Sequence, residues 1–188
     1  MKEKILEKSI VLFEKKGFSE TSIQDIVDEL NVTKGTFYYY FKSKEEILMD
    51  IHLRYINDIV KRQKAIVDGE GKDCKTKLFD VVNLLLGSIK TQGTSARVFY
   101  REMRNLSEEH LAQIIPTRDT FFAQLKGIID EGISKGEFRS DLRSDMITFA
   151  VLGACNWSYQ WFNPNGPVPD HEVAAIYLEI FLNGISKE

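Results

Sequence analysis

Residues 21–44 read TSIQDIVDELNVTKGTFYYYFKSK, and this stretch decides the fold. Thr21 is a suitable N-cap, with Gln24 at the position of the reciprocal partner in a capping box. Ile23, Ile26, Val27 and Leu30 then recur at helical spacing and make one apolar stripe. Asn31 and Val32 break that stripe, and Thr33 caps a second short helix that runs through Phe41. Two short helices joined by so brief a turn have the form of a helix-turn-helix, whose second helix lies in the DNA major groove.

Charge in the same window points the same way. Asp25, Asp28 and Glu29 decorate the first helix, but no acid falls between Asn31 and Lys44. The charges there are Lys34, Lys42 and Lys44, interleaved with Tyr38, Tyr39 and Tyr40. Ammonium and hydroxyl donors are what phosphate oxygens accept from. Phe37 and Phe41, four apart, belong to the core, whereas one helix cannot bury three consecutive tyrosines on a single side.

The segment resembles the N-terminal DNA-binding domain of the tetracycline-repressor-like (TetR) family. The resemblance rests on Phe13, Gly17-Phe18, Thr21-Ser22, Asp25-Ile26, Val32 through Tyr38, Phe41 and Lys44-Glu45. One departure is Tyr40, which stands where the family often has histidine. The resemblance implies Lys34, Gly35 and Thr36 at the groove-facing start of the reading helix. It implies Tyr38 and Tyr39 beside phosphate or sugar, Tyr40 among the DNA-binding residues, Lys44 at the flanking phosphate, and Ser22 and Gln24 on the backbone from the preceding helix. So placed, Lys34 can reach guanine O6 and N7, and the missing side chain of Gly35 permits close approach.

Composition bounds the rest. The chain has 188 residues, enough for a substantial core, and a formal net charge of -3. Its pI of about 5.7 argues against a protein that coats nucleic acid nonspecifically, and allows basic surface confined to one end. Cys74 and Cys155 are too few for a disulfide framework, and neither has metal-ligand spacing. The N-terminus lacks a signal-peptide run, and no apolar segment approaches the roughly 20 residues of a membrane helix. A soluble cytoplasmic protein with no membrane association is expected.

Along the chain the pattern is helical throughout, with an all-α fold as the expectation. A first helix spans Glu3 to Lys16 with Ile5, Leu6, Ile10 and Phe13 inward, and Gly17 supplies a left-handed terminus on which Phe18 packs back. Ser43 caps the next helix, which runs to about Val67. Lys77 to Lys90 is amphipathic, Gly93 punctuates, and a short helix extends through Arg104. Ser107 caps the following one, Pro116 kinks or restarts it, and it runs toward Gly136. These readings divide the chain into a helix-turn-helix domain, 1–46, and a helical ligand-binding and dimerisation domain, 47–188.

The last two helices, Asp141 to Phe162 and Asp170 to Ile185, are apolar on two sides. Met146, Phe149, Gly153 and Trp157 mark one face of the former; Ile147, Val151, Ala154 and Ser158 mark another. One side would meet the core and the other a second subunit, and the family resemblance implies a homodimer paired through these helices. Two half-sites on operator DNA, about 34–36 Å apart, require two reading helices at matching separation.

The family also couples a C-terminal pocket to DNA release. Phe99, Tyr100, Met103, Phe121, Phe122, Leu125, Trp157 and Trp161 offer apolar bulk for a hydrophobic small-molecule effector, with Asn156 and Gln160 as orienting polar groups. The Gly153 to Trp161 segment and the loop Pro164 to Pro169 resemble a subgroup of lipid-catabolism repressors that respond to acyl-CoA thioesters. Arg97, Arg101 and Arg104 share a helix face, where they either receive the thioester's phosphates or are neutralised by Glu102, Glu108 and solvent. His52, His110 and His171 are scattered, and no HExxH, nucleophile elbow or Gly-rich phosphate loop occurs. No enzyme, catalytic residue, metal or cofactor is therefore expected. The rival is a helical lipid-binding protein without DNA activity, which has no reason to carry an acid-free lysine-and-tyrosine stretch.

Overall fold

The computed structural model describes residues 1–185. It is all-α, and among these residues eight α-helices follow one another: α1 Lys2–Lys16, α2 Ile23–Glu29, α3 Lys34–Tyr40, α4 Lys44–Val67, α5 Cys74–Glu102, α6 Glu108–Ser134, α7 Ser144–Trp161 and α8 Asp170–Ile185. A 3-10 turn, Met103–Asn105, separates α5 from α6. The expected break at Gly93 is instead a kink: Gln92 leaves helical geometry at φ -134°, ψ 25°, and α5 resumes. Pro116 lies inside α6, which continues through it.

The chain forms two compact units, Met1–Asn57 with Thr94–Ile115, and Asp58–Gly93 with Pro116 onward. Their borders fall inside helices, beside the Gln92 kink in α5 and at Pro116 in α6.

The first unit closes around Ile5, Leu6, Phe13, Ile26, Val27, Phe37, Phe41, Ile47 and Leu48, all buried. Ile10, expected inward, is half-buried; Leu12 takes the inner place. Gly17 ends α1 at φ 88°, ψ 157°, a positive-φ extended conformation essentially restricted to glycine rather than the left-handed helical one anticipated. Phe18 does fold back, its ring edge-on to Phe13 at 5.2 Å. The turn between α2 and α3 is a Schellman closure: Asn31 has φ 51°, its N–H donates to Asp28 O (3.1 Å), and Val32 N–H donates to Val27 O (3.0 Å).

In the second unit, Leu78, Val81, Val82, Leu85 and Leu86 of α5 are buried, as are Phe121, Leu125, Ile128 and Ile129 of α6. Two long-range caps hold the ends. Lys77 Nζ donates to Val67 O at the end of α4 (2.8 Å), and Glu137 Oε2 accepts from Cys74 N at the start of α5 (2.8 Å). The buried face of α7 is Thr148, Val151, Cys155 and Ser158, one position away from the expected stripe at two of its four places. Its opposite face carries Met146 (49% exposed), Phe149 (57%), Trp157 (64%) and Trp161 (52%). Helix α8 likewise buries Val173 and Ala174 while exposing Ile176 and Ile180.

Candidate nucleic-acid interface and effector region

Helix α2 starts one residue later than the sequence suggests. Thr21 is only 1% exposed, because its hydroxyl donates to Gly17 O (2.7 Å) and turns inward. Ser22 is the N-cap: its Oγ accepts from Asp25 N (3.1 Å), and Asp25 carboxylate accepts from Ser22 N (2.7 Å). The capping box is therefore Ser22 with Asp25, not Thr21 with Gln24. Lys16 also donates to Asp25 (2.8 Å), and these hydrogen bonds hold the carboxyl far below its usual range. Gln24 points outward, its Nε2 on Asp28 (2.6 Å).

Helix α3 begins at Thr33, whose Oγ1 accepts from Thr36 N (3.2 Å). Lys34 and Gly35 are exposed in its first turn. A Cβ on Gly35 would meet nothing nearer than Thr33 Oγ1 at 3.5 Å, so the fold itself does not require glycine there. The aromatic run divides by helical periodicity. Phe37 and Phe41 are buried, Tyr38 is 54% and Tyr39 80% exposed, and Tyr40 is half-buried with Tyr39 edge-on at 4.8 Å. Lys34, Tyr38 and Tyr39 are thus exposed on a helix that itself carries no acid.

Lys44 does not share it. Its Nζ donates to Phe18 O (2.6 Å) and Thr21 O (2.7 Å), and sits 4.3 Å from the centroid of the Phe18 ring. Burial lowers its pKa. An ammonium has three donors, and the loop between α1 and α2 takes them; Lys44, placed at a flanking phosphate by resemblance, is turned into the protein.

The arginines of α5 are engaged in the same way. Arg97 pairs with Glu14 (2.8 Å), and Arg101 donates to Phe13 O and to Glu14 O (2.9 Å), capping the end of α1. Glu102, 4% exposed, receives Arg101 Nε (2.7 Å) and Asn105 Nδ2 (2.8 Å). Neutralisation is the outcome for Arg97 and Arg101, though by Glu14, main-chain oxygens and Glu102 rather than Glu108. Glu45 ties in the next turn, accepting from Ser107 N (2.7 Å) and His110 Nδ1 (2.8 Å). Apart from the local pairs of Glu102, these partners lie 62 to 88 residues apart in sequence, and no local pattern signals them.

The expected effector residues are divided between the two units. Phe99, Tyr100 and Met103 belong to the first unit, where Phe99 stacks on His52 and Tyr55, each at 5.0 Å. Phe121, Phe122, Leu125, Asn156, Trp157, Gln160 and Trp161 belong to the second. There Phe121 and Leu125 are buried, and Asn156 is half-buried. Phe122 packs on Phe149 (4.7 Å), while Trp157, Gln160 and Trp161 stand at the surface of α7. Cys74 and Cys155 are buried, their thiols pushed up to about 11 and about 12 by desolvation. Among the described residues no cluster of His, Cys, Asp or Glu is placed to hold a metal, and no helix is long and apolar enough to cross a membrane.

A capped reading helix with an outward cationic and phenolic face, on an all-α body, defines a helix-turn-helix transcriptional regulator. The model for bacterial regulatory proteins of the tetR family matches residues 5–51, and the tetracyclin repressor-like C-terminal domain matches residues 71–185. The chain belongs to the TetR family. It is 27% identical over 184 residues to the HTH-type transcriptional repressor KstR2 of Rhodococcus jostii (strain RHA1), covering 97% of this chain and 89% of that protein. The structure of the ketosteroid transcriptional regulator KstR2 of Mycobacterium tuberculosis superposes with a TM-score of 0.90 at 25% identity, over 100% of this chain and 95% of that one. The TetR family regulator PfmR from Thermus thermophilus superposes at 0.89 with 30% identity, over 97% of this chain and 99% of that one. TetR regulators bind operator DNA and small-molecule effectors as dimers, and are not enzymes.

Proposed function

We propose that this chain is a cytoplasmic homodimeric repressor that binds a palindromic operator through α3 and leaves it when a hydrophobic effector binds. The observation that carries the reading is the exposure of Lys34, Tyr38 and Tyr39 on a helix that itself carries no acid. Functionally, residues 1–46 read DNA, and residues 47–188 receive the effector and the second subunit. Ser22, Gln24, Gly35, Thr36 and Tyr40 complete the contact surface around those three side chains. The exposed apolar faces of α7 and α8, with Phe149, Trp157, Ile176 and Ile180, are what a second copy would cover.

The effector is an apolar small molecule, with an acyl-CoA thioester as the specific proposal. It acts by binding better to a conformation whose two reading helices no longer match the operator. Reversing a 1:99 population takes a differential affinity of about 5.5 kcal/mol, which sets how selective that binding has to be. A lipid-binding module without DNA activity is the rival, and Lys34, Tyr38 and Tyr39 disfavour it.

Selection from random duplex DNA, followed by gel shifts with the recovered sequence, tests the reading. A palindromic site is the expected result, and Lys34→Ala should relax discrimination at one base position by about 1–3 kcal/mol. Recovery of no preferred sequence at low salt overturns DNA recognition. Trp157→Glu should give a monomer by light scattering that no longer binds the full site, whereas a dimer would overturn the α7 assignment.

A further inference from the structure

The charges around the start of α4 are sorted by the fold. Lys44 gives its ammonium to the main chain between α1 and α2, so the cation expected at a flanking phosphate faces inward. Glu45 is taken by Ser107 N (2.7 Å) and His110 Nδ1 (2.8 Å). Glu46 turns back and accepts from Lys42 N (2.5 Å), while Ser43 Oγ accepts from Glu46 N (3.1 Å). Three of the four charged side chains between Phe41 and Ile47 thus end on protein groups.

Lys42 is the fourth. It is exposed, and among the described residues its ammonium meets no hydrogen-bond or ion-pair partner. Its main chain is anchored all the same. Phe41 ends α3 in extended geometry (φ -139°, ψ 135°), and the Glu46 carboxylate holds the N–H of the residue that follows. The long side chain of Lys42 therefore leaves from a fixed turn, immediately after the helix that exposes Tyr38 and Tyr39. The acids next to it in sequence, Glu45 and Glu46, are both occupied by N–H donors. An amine in this state can take a DNA phosphate without first breaking a contact inside the protein.

We infer that Lys42, not Lys44, makes the phosphate contact that flanks the reading helix, and that it secures this helix on the duplex without reading sequence. The inference rests on the operator reading above and gives it an anchor. Lys44 would have to surrender the Phe18 and Thr21 carbonyls to reach DNA, whereas Lys42 surrenders only water. Each phosphate neutralised releases about 0.9 of a counterion, which the salt dependence of binding reports directly.

Gel shifts of the full chain from about 50 to about 200 mM salt test this with Lys42→Gln, Lys42→Arg and Lys90→Gln, on the duplex recovered by selection and on its single-base variants. Lys90 is exposed in the second unit, so its variant removes the same charge elsewhere. Lys42→Gln should lower the slope of log affinity against log salt by about one, and its deficit against wild type should narrow about 3- to 4-fold over that range. The deficit should be the same on every duplex, the melting temperature should not move, and Lys42→Arg should restore the slope. A wild-type slope in Lys42→Gln, a deficit confined to one base position, a lowered melting temperature, or an equal change in Lys90→Gln overturns the assignment and leaves the operator reading standing. If selection with wild type recovers no preferred duplex, both fall.

Discussion

The ammonium of Lys44 lies 4.3 Å from the centroid of the Phe18 ring and donates to the Phe18 carbonyl at 2.6 Å, so the first residue of α4 fastens the turn that ends α1. The same nitrogen reaches Thr21 O at 2.7 Å, immediately before the N-cap of α2. One side chain thereby fixes the entry to the helix-turn-helix.

Lys44→Met is expected to lower the stability of the chain by about 1–3 kcal/mol, the scale of charged hydrogen bonds lost in a partly buried site. Operator affinity should fall with it, while the slope of log affinity against log salt stays at the wild-type value. A slope reduced by about one would return Lys44 to a phosphate contact. Gel shifts across a salt series, with a parallel melt, separate the two.

Arg101→Met is expected to cost about 1 kcal/mol, modest because the guanidinium is partly solvated, by removing the cap on Phe13 O and Glu14 O. The acyl-CoA concentration that releases operator should be unchanged. A marked rise in that concentration would show that Arg101 receives an anion after all.

Gly132→Ala should destabilise the second unit by about 1–3 kcal/mol. Its Cβ would stand 2.3 Å from two ring carbons of Phe138 and 3.1 Å from Cys74 Cβ. Phe138 is 1% exposed, so its packed ring has to shift to make room. Chemical denaturation reads the effect, and Phe138→Leu in the same background should recover part of it.

His52 gives stability a pH dependence. The ring is buried between Leu48 O (2.8 Å) and Phe99 O (3.1 Å), and burial outweighs those carbonyls to hold its pKa below the ordinary 6.5. As pH falls through 6.5 the unfolded chain takes up the proton first, so the native state loses stability from there downward. The melting temperature should decline between pH 7 and pH 5, and His52→Gln should decline less. Glu45, held low by Ser107 and His110, adds to the loss only as pH drops through its unfolded value of 4.5. Equal declines in wild type and variant would remove His52 as the cause.

Part of the architecture was legible because it is local. Helical spacing, the Thr33 and Ser43 caps and the Asn31 turn all act within a few residues, and each stands where its side-chain chemistry indicates. The split of Phe37 and Phe41 from Tyr38 and Tyr39 followed from periodicity alone. Even the error at Thr21 was local in form: two adjacent hydroxyl residues are equally good caps on paper. Burial of Thr21 against Gly17 O chose between them.

What the amino-acid sequence determined by itself, then, is an all-α chain with a capped, acid-free reading helix near one end, since propensity, periodicity and charge are carried by neighbours. Tertiary structure alone decided where the long side chains end: Lys44 on Phe18, Arg101 on Phe13, Gln63 on Phe121, and Trp157 outward rather than in. A lysine that staples a loop and one that meets a phosphate look identical in one dimension. The difference lies in which carbonyls the fold brings within hydrogen-bonding reach, and those come from segments up to 88 residues away.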